Sequence, residues 1–209
     1  RMAEEMALIE SFDLVVLDKV VRRLRQPGSG LLKIAVNVSG ASLVDDAYVN
    51  ALLRMTAETP ELRRRLMVEV TESAALADID AANRRLSALR EAGIKLCIDD
   101  FGSGAASFDY VRKLQVDTVK IDGGLIQGLE QDKRARTMIS HLVELCGSLG
   151  LTTVAEMVET QGAADILRDL GVDFGQGWLF GKAEAEPRTV LPPSGPVAAR
   201  RTGAVEAWG

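Results

Sequence analysis

The stretch Ile94-Lys95-Leu96-Cys97-Ile98-Asp99-Asp100-Phe101-Gly102-Ser103-Gly104 joins a short apolar run to two adjacent carboxylates and a glycine-rich exit. An apolar run this short, bounded by turn residues, reads as a strand buried on both faces. The pattern repeats on either side of it. Apolar runs cover Leu31 to Val38, Leu66 to Val70, Thr118 to Ile121 and Leu151 to Ala155, with a weaker one from Val172 to Trp178. Amphipathic segments near 43–58, 78–92, 105–114, 132–149 and 160–170 are expected to form helices between them. Near-continuous apolar strands alternating with helices predict an α/β protein with a parallel sheet covered on both faces.

Each run carries polar groups at its C-terminal end: Asn37, Glu69, Asp99 with Asp100, Lys120 with Asp122, Glu156 and Gln176. Successive groups stand 20 to 36 residues apart, which brackets the roughly 31 residues per unit of an eight-unit (β/α) barrel. In such a barrel the strand C-termini share one face, and these groups would converge there. Carboxylates gathered as Glu69, Asp99, Asp100 and Glu156 would be repel one another unless a cation joined them. All-oxygen donors suit Mg²⁺ or Mn²⁺ better than zinc or copper. Asp99 and Asp100 would serve two ions about 3.5–4 Å apart, the spacing that activates water against a phosphodiester. Lys120 would hold that water or neutralise charge in the transition state.

The rest of the chain narrows the chemistry. Its 209 residues are 47% apolar and 26% charged, values of a folded globular protein. Lys plus Arg number 25 against 30 for Asp plus Glu, and the net charge of -5 gives no electrostatic footprint for a nucleic-acid polymer. No apolar run approaches a membrane span and the N-terminus lacks a secretory layout, so no membrane contact and a cytoplasmic location are expected. Cys97 and Cys146 stand apart, without a metal or disulfide spacing, and read as buried thiols. The one histidine, His141, falls in an expected helix, which leaves poly-histidine zinc sites and His-dependent triads without material. A first helix runs through Met6 to Leu24 and stops at Pro27-Gly28. No initiator methionine precedes it, as expected for a piece of something longer. Met and Leu side chains of the helices are read as core. Four of the six prolines lie between Pro187 and Pro196, so residues 1–186 are expected to form one domain and 187–209 a tail.

Single elements have plainer explanations. Asp100 or Ser73 after a strand is also what an N-cap looks like, and Asn37-Val38-Ser39 matches a glycosylation acceptor without a secretion signal to support it. Asp99-Asp100-Phe101-Gly102 fails as a kinase element because no glycine-rich loop or catalytic loop accompanies it. Joint occurrence at six consecutive strand ends favours a site, although residue pattern alone also admits an enolase-type centre with a lysine base.

Asn37-Val38-Ser39, Glu69-Val70-Thr71-Glu72-Ser73, Asp99 to Gly104, Lys120-Ile121-Asp122, Ala155-Glu156-Met157-Val158-Glu159 and Gln176-Gly177 resemble, in order and spacing, the motifs of EAL domains. The resemblance covers about residues 3 to 182. It implies a TIM-like barrel with its first strand antiparallel, hydrolysing cyclic di-GMP to linear pGpG with two Mg²⁺ or Mn²⁺ ions. By that likeness Asn37, Glu69 and Asp99 would bind the first metal, with Asp99 also touching the second. Asp100 and Glu156 would serve the second metal and its water. Lys120 would position the nucleophile, and Asp122, Glu159 and Gln176 would complete the pocket. Glu72 would hold the loop from Phe101 to Ser107, which in this family links metal binding to dimerisation, so a homodimer is implied.

The likeness also has departures. The glutamate that names the family is expected about 20 residues before Arg1, one short βα spacing upstream. The first barrel strands and an arginine for a phosphate belong to that same missing part, so the barrel is expected to be incomplete at its N-terminal end. Met157 stands where the family has glycine, and Ala105-Ala106 where it has a more polar pair. Loss of one metal ligand with the pocket kept would instead suit a receptor that binds cyclic di-GMP without hydrolysing it.

Overall fold

Strands and helices alternate along the chain much as the apolar runs require. A computed structural model describes residues 2–29, 32–71, 79–102, 113–182 and 206–207. Their order is α1 (Met2–Arg25), β1 (Ile34–Val38), α2 (Gly40–Val44), α3 (Asp46–Met55), α4 (Pro60–Arg65), β2 (Leu66–Thr71), α5 (Ile79–Glu91), β3 (Lys95–Phe101), β4 (Thr118–Ile121), α6 (Gly123–Ile126), α7 (Lys133–Ser148), β5 (Thr152–Ala155), α8 (Gln161–Asp169), β6 (Phe174–Gly175) and β7 (Glu206–Ala207). The class is α/β, as expected. The chain divides into two compact units, Arg1–Asp99 with Ala106–Asp117, and Asp100–Ala105 with Thr118–Gly209.

In the first unit β1 pairs with β2 and β2 with β3, both in parallel. Val36, Val38, Val68, Val70, Leu96 and Ile98 are buried, and removing each such side chain from water contributes about 1.5–3 kcal/mol. Helix α1 packs near β1 and buries Leu17, Val21 and Leu24, a stripe at helical spacing. It ends where Pro27-Gly28 was expected to stop it, with Gly28 at φ +83°. The Arg65 guanidinium donates to the carbonyl of Leu24 at 2.9 Å, which satisfies a helix-end acceptor. Asp13, on the same helix, is buried, and its Oδ2 accepts from the Ser39 amide at 3.0 Å and the Ser42 hydroxyl at 2.8 Å. Burial, with the Asp13 charge as a smaller cause, pushes the Tyr48 phenol well above its ordinary pKa.

The helix expected over 43–58 is broken in two. Asp45 closes α2 and caps α3, its carboxylate accepting from the amides of Ala47 and Tyr48 at 2.9 and 3.2 Å. An Asp that satisfies two amides itself competes with a continuous helix at that point.

In the second unit β4 runs parallel to β5 and β5 to β6, while β7 lies antiparallel to β6 with Phe174 opposite Ala207. Every residue of β4 is buried. Asp173, just before β6, accepts from the amide and hydroxyl of Thr153 at 2.8 Å each and ties the strand starts together. Helix α7 begins at the cap Asp132 and buries Ala135, Ile139, Leu142 and Cys146. Cys97 and Cys146 are both buried thiols, as expected, and burial pushes the Cys146 thiol up to about 11.

Three expectations need correction. Met138 is 58% exposed because it lies off the 135–139–142–146 stripe of α7, and Leu8 of α1 is exposed as well, so not every helical Met and Leu is core. The weak strand at Val172 to Trp178 shrinks to Phe174–Gly175, since the chain turns at Gly177. Short helices α2, α4 and α6 were not anticipated; at four to six residues they carry no periodicity to read. Most of the expected helix at 105–114, the loop beyond Gly102, Glu72 and Ser73, and all of the 187–209 segment except Glu206–Ala207 lie outside the described residues.

Candidate active site

The strand register of the first unit settles which side chains share a face. Asn37 of β1 is the direct partner of Glu69 in β2, and Thr71 is the partner of Asp99 in β3. Side chains two apart on a strand share a face, so Glu69 and Thr71, and with them Asn37 and Asp99, project to the same side. Val36, Val38, Val68 and Val70 take the other, buried side. Asn37 is exposed and Glu69 and Asp99 are half-buried, so polar donors line the less buried face. An amide and two carboxylates on that face form an all-oxygen donor row.

In the second unit the decisive contact joins the ends of β4 and β5. Lys120 Nζ lies 2.6 Å from Glu156 Oε1, with side chains 7% and 17% exposed. Lys120 pairs in register with Val154, and the Glu156 amide donates to the Ile121 carbonyl at 3.2 Å. The backbone ladder thus places both charges without help from their side chains. A carboxylate oxygen of Asp100 lies within 4.8 Å of one of Glu156. Two carboxylates this close, in a set of oxygen donors, suit a divalent cation.

Two backbone features aim these groups. Asp100 has φ +56°. Consecutive residues of a regular strand point to opposite faces, and the left-handed conformation at Asp100 breaks the alternation after Asp99. Met157 has φ +52°, beside Glu156. For a side chain larger than Asn or Asp this conformation costs about 1–2 kcal/mol. The remaining expected residues are spread along the same strand ends. Asp122 caps α6, its Oδ1 accepting from the Gly124 amide at 2.9 Å. Gln176 extends the ladder, its amide donating to Ala155 at 2.8 Å and its carbonyl accepting from Val158 at 3.0 Å. Glu159 is exposed on the loop before α8.

Gly123 was not singled out from the sequence, and Gly177 was quoted only as part of the Gln176-Gly177 motif, without a role. A Cβ on Gly177 would fall inside the 3.0 Å limit of real contacts from the Val158 amide nitrogen and carbonyl oxygen. A Cβ on Gly123 would do the same against the Met157 side chain. The Asp122-Gly123-Gly124 sequence was the available signal.

The EAL domain family model matches residues 1–183. The chain belongs to the EAL domain family. It is 38% identical over 189 residues to the bifunctional diguanylate cyclase/cyclic di-GMP phosphodiesterase MucR of Pseudomonas aeruginosa, covering 87% of this chain and 27% of that protein. It is 32% identical over 151 residues to the cyclic di-GMP phosphodiesterase PdeB of Shewanella oneidensis, covering 72% of this chain and 18% of that protein. The chain therefore spans about a fifth to a quarter of the length of these relatives.

Among solved structures, the PaMucR phosphodiesterase in its c-di-GMP complex matches with a TM-score of 0.79 and 34% identity, over 87% of this chain and 80% of that one. The manganese and c-di-GMP complex of Klebsiella pneumoniae BlrP1 matches with a TM-score of 0.72 and 30% identity, over 82% of this chain and 44% of that one. The fold class of this EAL domain is the TIM-like (β/α) barrel of those structures. Among the described residues, no helix is long and apolar enough to cross a membrane.

Proposed function

We propose that this EAL domain hydrolyses cyclic di-GMP to linear pGpG with two divalent cations, Mg²⁺ or Mn²⁺. The observation that carries the reading is the Lys120–Glu156 pair at 2.6 Å with Asp100 beside Glu156, at the strand ends where the family motifs fall. Relatives named as cyclic di-GMP phosphodiesterases and a solved relative holding manganese with c-di-GMP support it.

In this reading Asn37, Glu69 and Asp99 would hold one cation, and Asp100 and Glu156 would serve the second, to which Asp99 would also contribute. Such ions supply Lewis acidity and a water of lowered pKa. Lys120, paired with Glu156, would orient the water that adds to phosphorus; as the P–O3′ bond breaks, the proton given up by that water would pass to the departing 3′ oxygen. Asp122, Gln176 and Asn37 would contact the dinucleotide, Glu159 would complete the catalytic pocket, and Glu72 would hold the loop that follows Gly102. The reading includes a cytoplasmic location and a homodimer.

The test is the intact protein with Mg²⁺ and cyclic di-GMP, read by chromatography of pGpG. Turnover lost on replacing Glu69 or Asp99 with Ala is the expected result. Absence of pGpG at micromolar wild-type enzyme refutes hydrolysis, and tight metal-free binding of the dinucleotide in that case identifies a receptor instead. An unchanged rate in either variant refutes the assigned roles.

A further inference from the structure

We propose that Met157 is a positioning residue whose side chain, seated on Gly123, fixes the backbone that presents Glu156. The observations lie within one unit. Met157 holds φ +52°, a conformation L side chains rarely adopt, and such strain persists only where the surroundings over-determine it. Here the surroundings are specific. A Cβ on Gly123 would fall inside 3.0 Å of Sδ, Cγ and Cβ of Met157, so the thioether chain fills the space that only glycine leaves open at that position.

Gly123 opens α6 directly after its cap Asp122, and the Glu156 amide donates to Ile121 at 3.2 Å. The segments 121–123 and 156–157 therefore run side by side, joined by one backbone hydrogen bond and closed by one side chain. Met157 is still 47% exposed, so hydrophobic burial alone is a weak reason to keep a bulky residue in a strained backbone. What the contact does secure is the position of its neighbour. Glu156 must stay 2.6 Å from Lys120 and near Asp100, and a free rotation of the 156–157 peptide would spoil both.

The catalytic consequence rests on the phosphodiesterase reading; the effect on metal affinity does not. The variants Met157→Gly, Met157→Leu, Gly123→Ala and Met157→Gly with Gly123→Ala are made in the intact protein. Mn²⁺ binding is titrated by electron paramagnetic resonance of the free ion, and kcat and KM are measured with cyclic di-GMP. Loss of a group that orients ligands typically lowers metal affinity about 10–100-fold. Met157→Gly is expected to weaken Mn²⁺ binding about 10-fold and to lower kcat about as much, with KM changed less than twofold.

Met157→Leu keeps the volume and is expected to restore both values to within threefold of wild type. Gly123→Ala is expected to resemble Met157→Gly, and the double variant, in which the alanine methyl meets no thioether, to exceed Gly123→Ala in Mn²⁺ affinity. Wild-type Mn²⁺ affinity in a folded Met157→Gly, or no recovery in Met157→Leu, overturns the proposal. Should wild type bind Mn²⁺ without releasing pGpG, the phosphodiesterase reading fails and the affinity series alone decides the role of Met157. No Mn²⁺ binding by wild type overturns both.

Discussion

Lys120→Met removes a buried cation while keeping its length, and its cost follows from the local charges. At an effective dielectric constant of 20, the 2.6 Å contact with Glu156 is worth about 6 kcal/mol of attraction. Two carboxylates within 4.8 Å, Asp100 and Glu156, repel by about 3 kcal/mol or more on the same scale. Part of the lost attraction returns because an apolar side chain incurs no desolvation. A net loss of about 3 kcal/mol in the metal-free protein is expected, or a fall of roughly 6–12 °C in Tm for a domain of this size. Saturating Mn²⁺ should cut the difference between variant and wild type to less than half, because the ion supplies the missing positive charge and binds only the folded state. Differential scanning calorimetry in EDTA and in Mn²⁺ measures both gaps. An unchanged metal-free Tm, or a gap that Mn²⁺ leaves intact, would refute the idea that Lys120 is the counter-charge of the acidic pair.

Three further outcomes are expected. Gly177→Ala places a methyl against the Val158 backbone, which cannot yield as a flexible side chain would, and should cost about 1–3 kcal/mol by urea denaturation. Asp13→Ala strands the Ser39 amide and the Ser42 hydroxyl and should cost about 2–4 kcal/mol, while Asp13→Asn, which keeps an acceptor oxygen, should cost less than half of that. The Cys146 thiol has its pKa raised from about 9 to about 11 in the folded chain. Folding therefore favours the protonated form. The associated stability is complete below pH 9 and drains away as the pH rises from 9 to 11, by about 2 kcal/mol. Stability of Cys146→Ala should fall less steeply than that of wild type across that window; parallel curves would contradict the burial effect.

Much of the architecture was legible because its signals are local. Thr118 to Ile121 was read as a strand to the residue, and Asp99-Asp100 was located at the end of β3, because a short apolar run ending in charge has few other uses. The family motifs allowed the roles of Asn37, Glu69 and Lys120 to be expected from sequence. The contact between Lys120 and Glu156 was not legible, because it depends on how β4 and β5 align, a register that neither segment encodes alone. Likewise Met157 was read only as standing where the family has glycine. Its meaning depends on Gly123, far away in the chain, leaving space for it. Asp13 went unremarked because one acid in an amphipathic helix looks like a solvated residue until a neighbouring loop covers it.

Asp13 also has a mechanical side. One carboxylate oxygen of α1 accepts from the Ser39 amide, two residues past Asn37 on the same chain. Hydrogen bonds weaken steeply once lengthened or bent, so sliding α1 by a single ångström would slacken the anchor of the β1 exit. A displacement of the first helix therefore acts directly on the backbone two residues beyond Asn37.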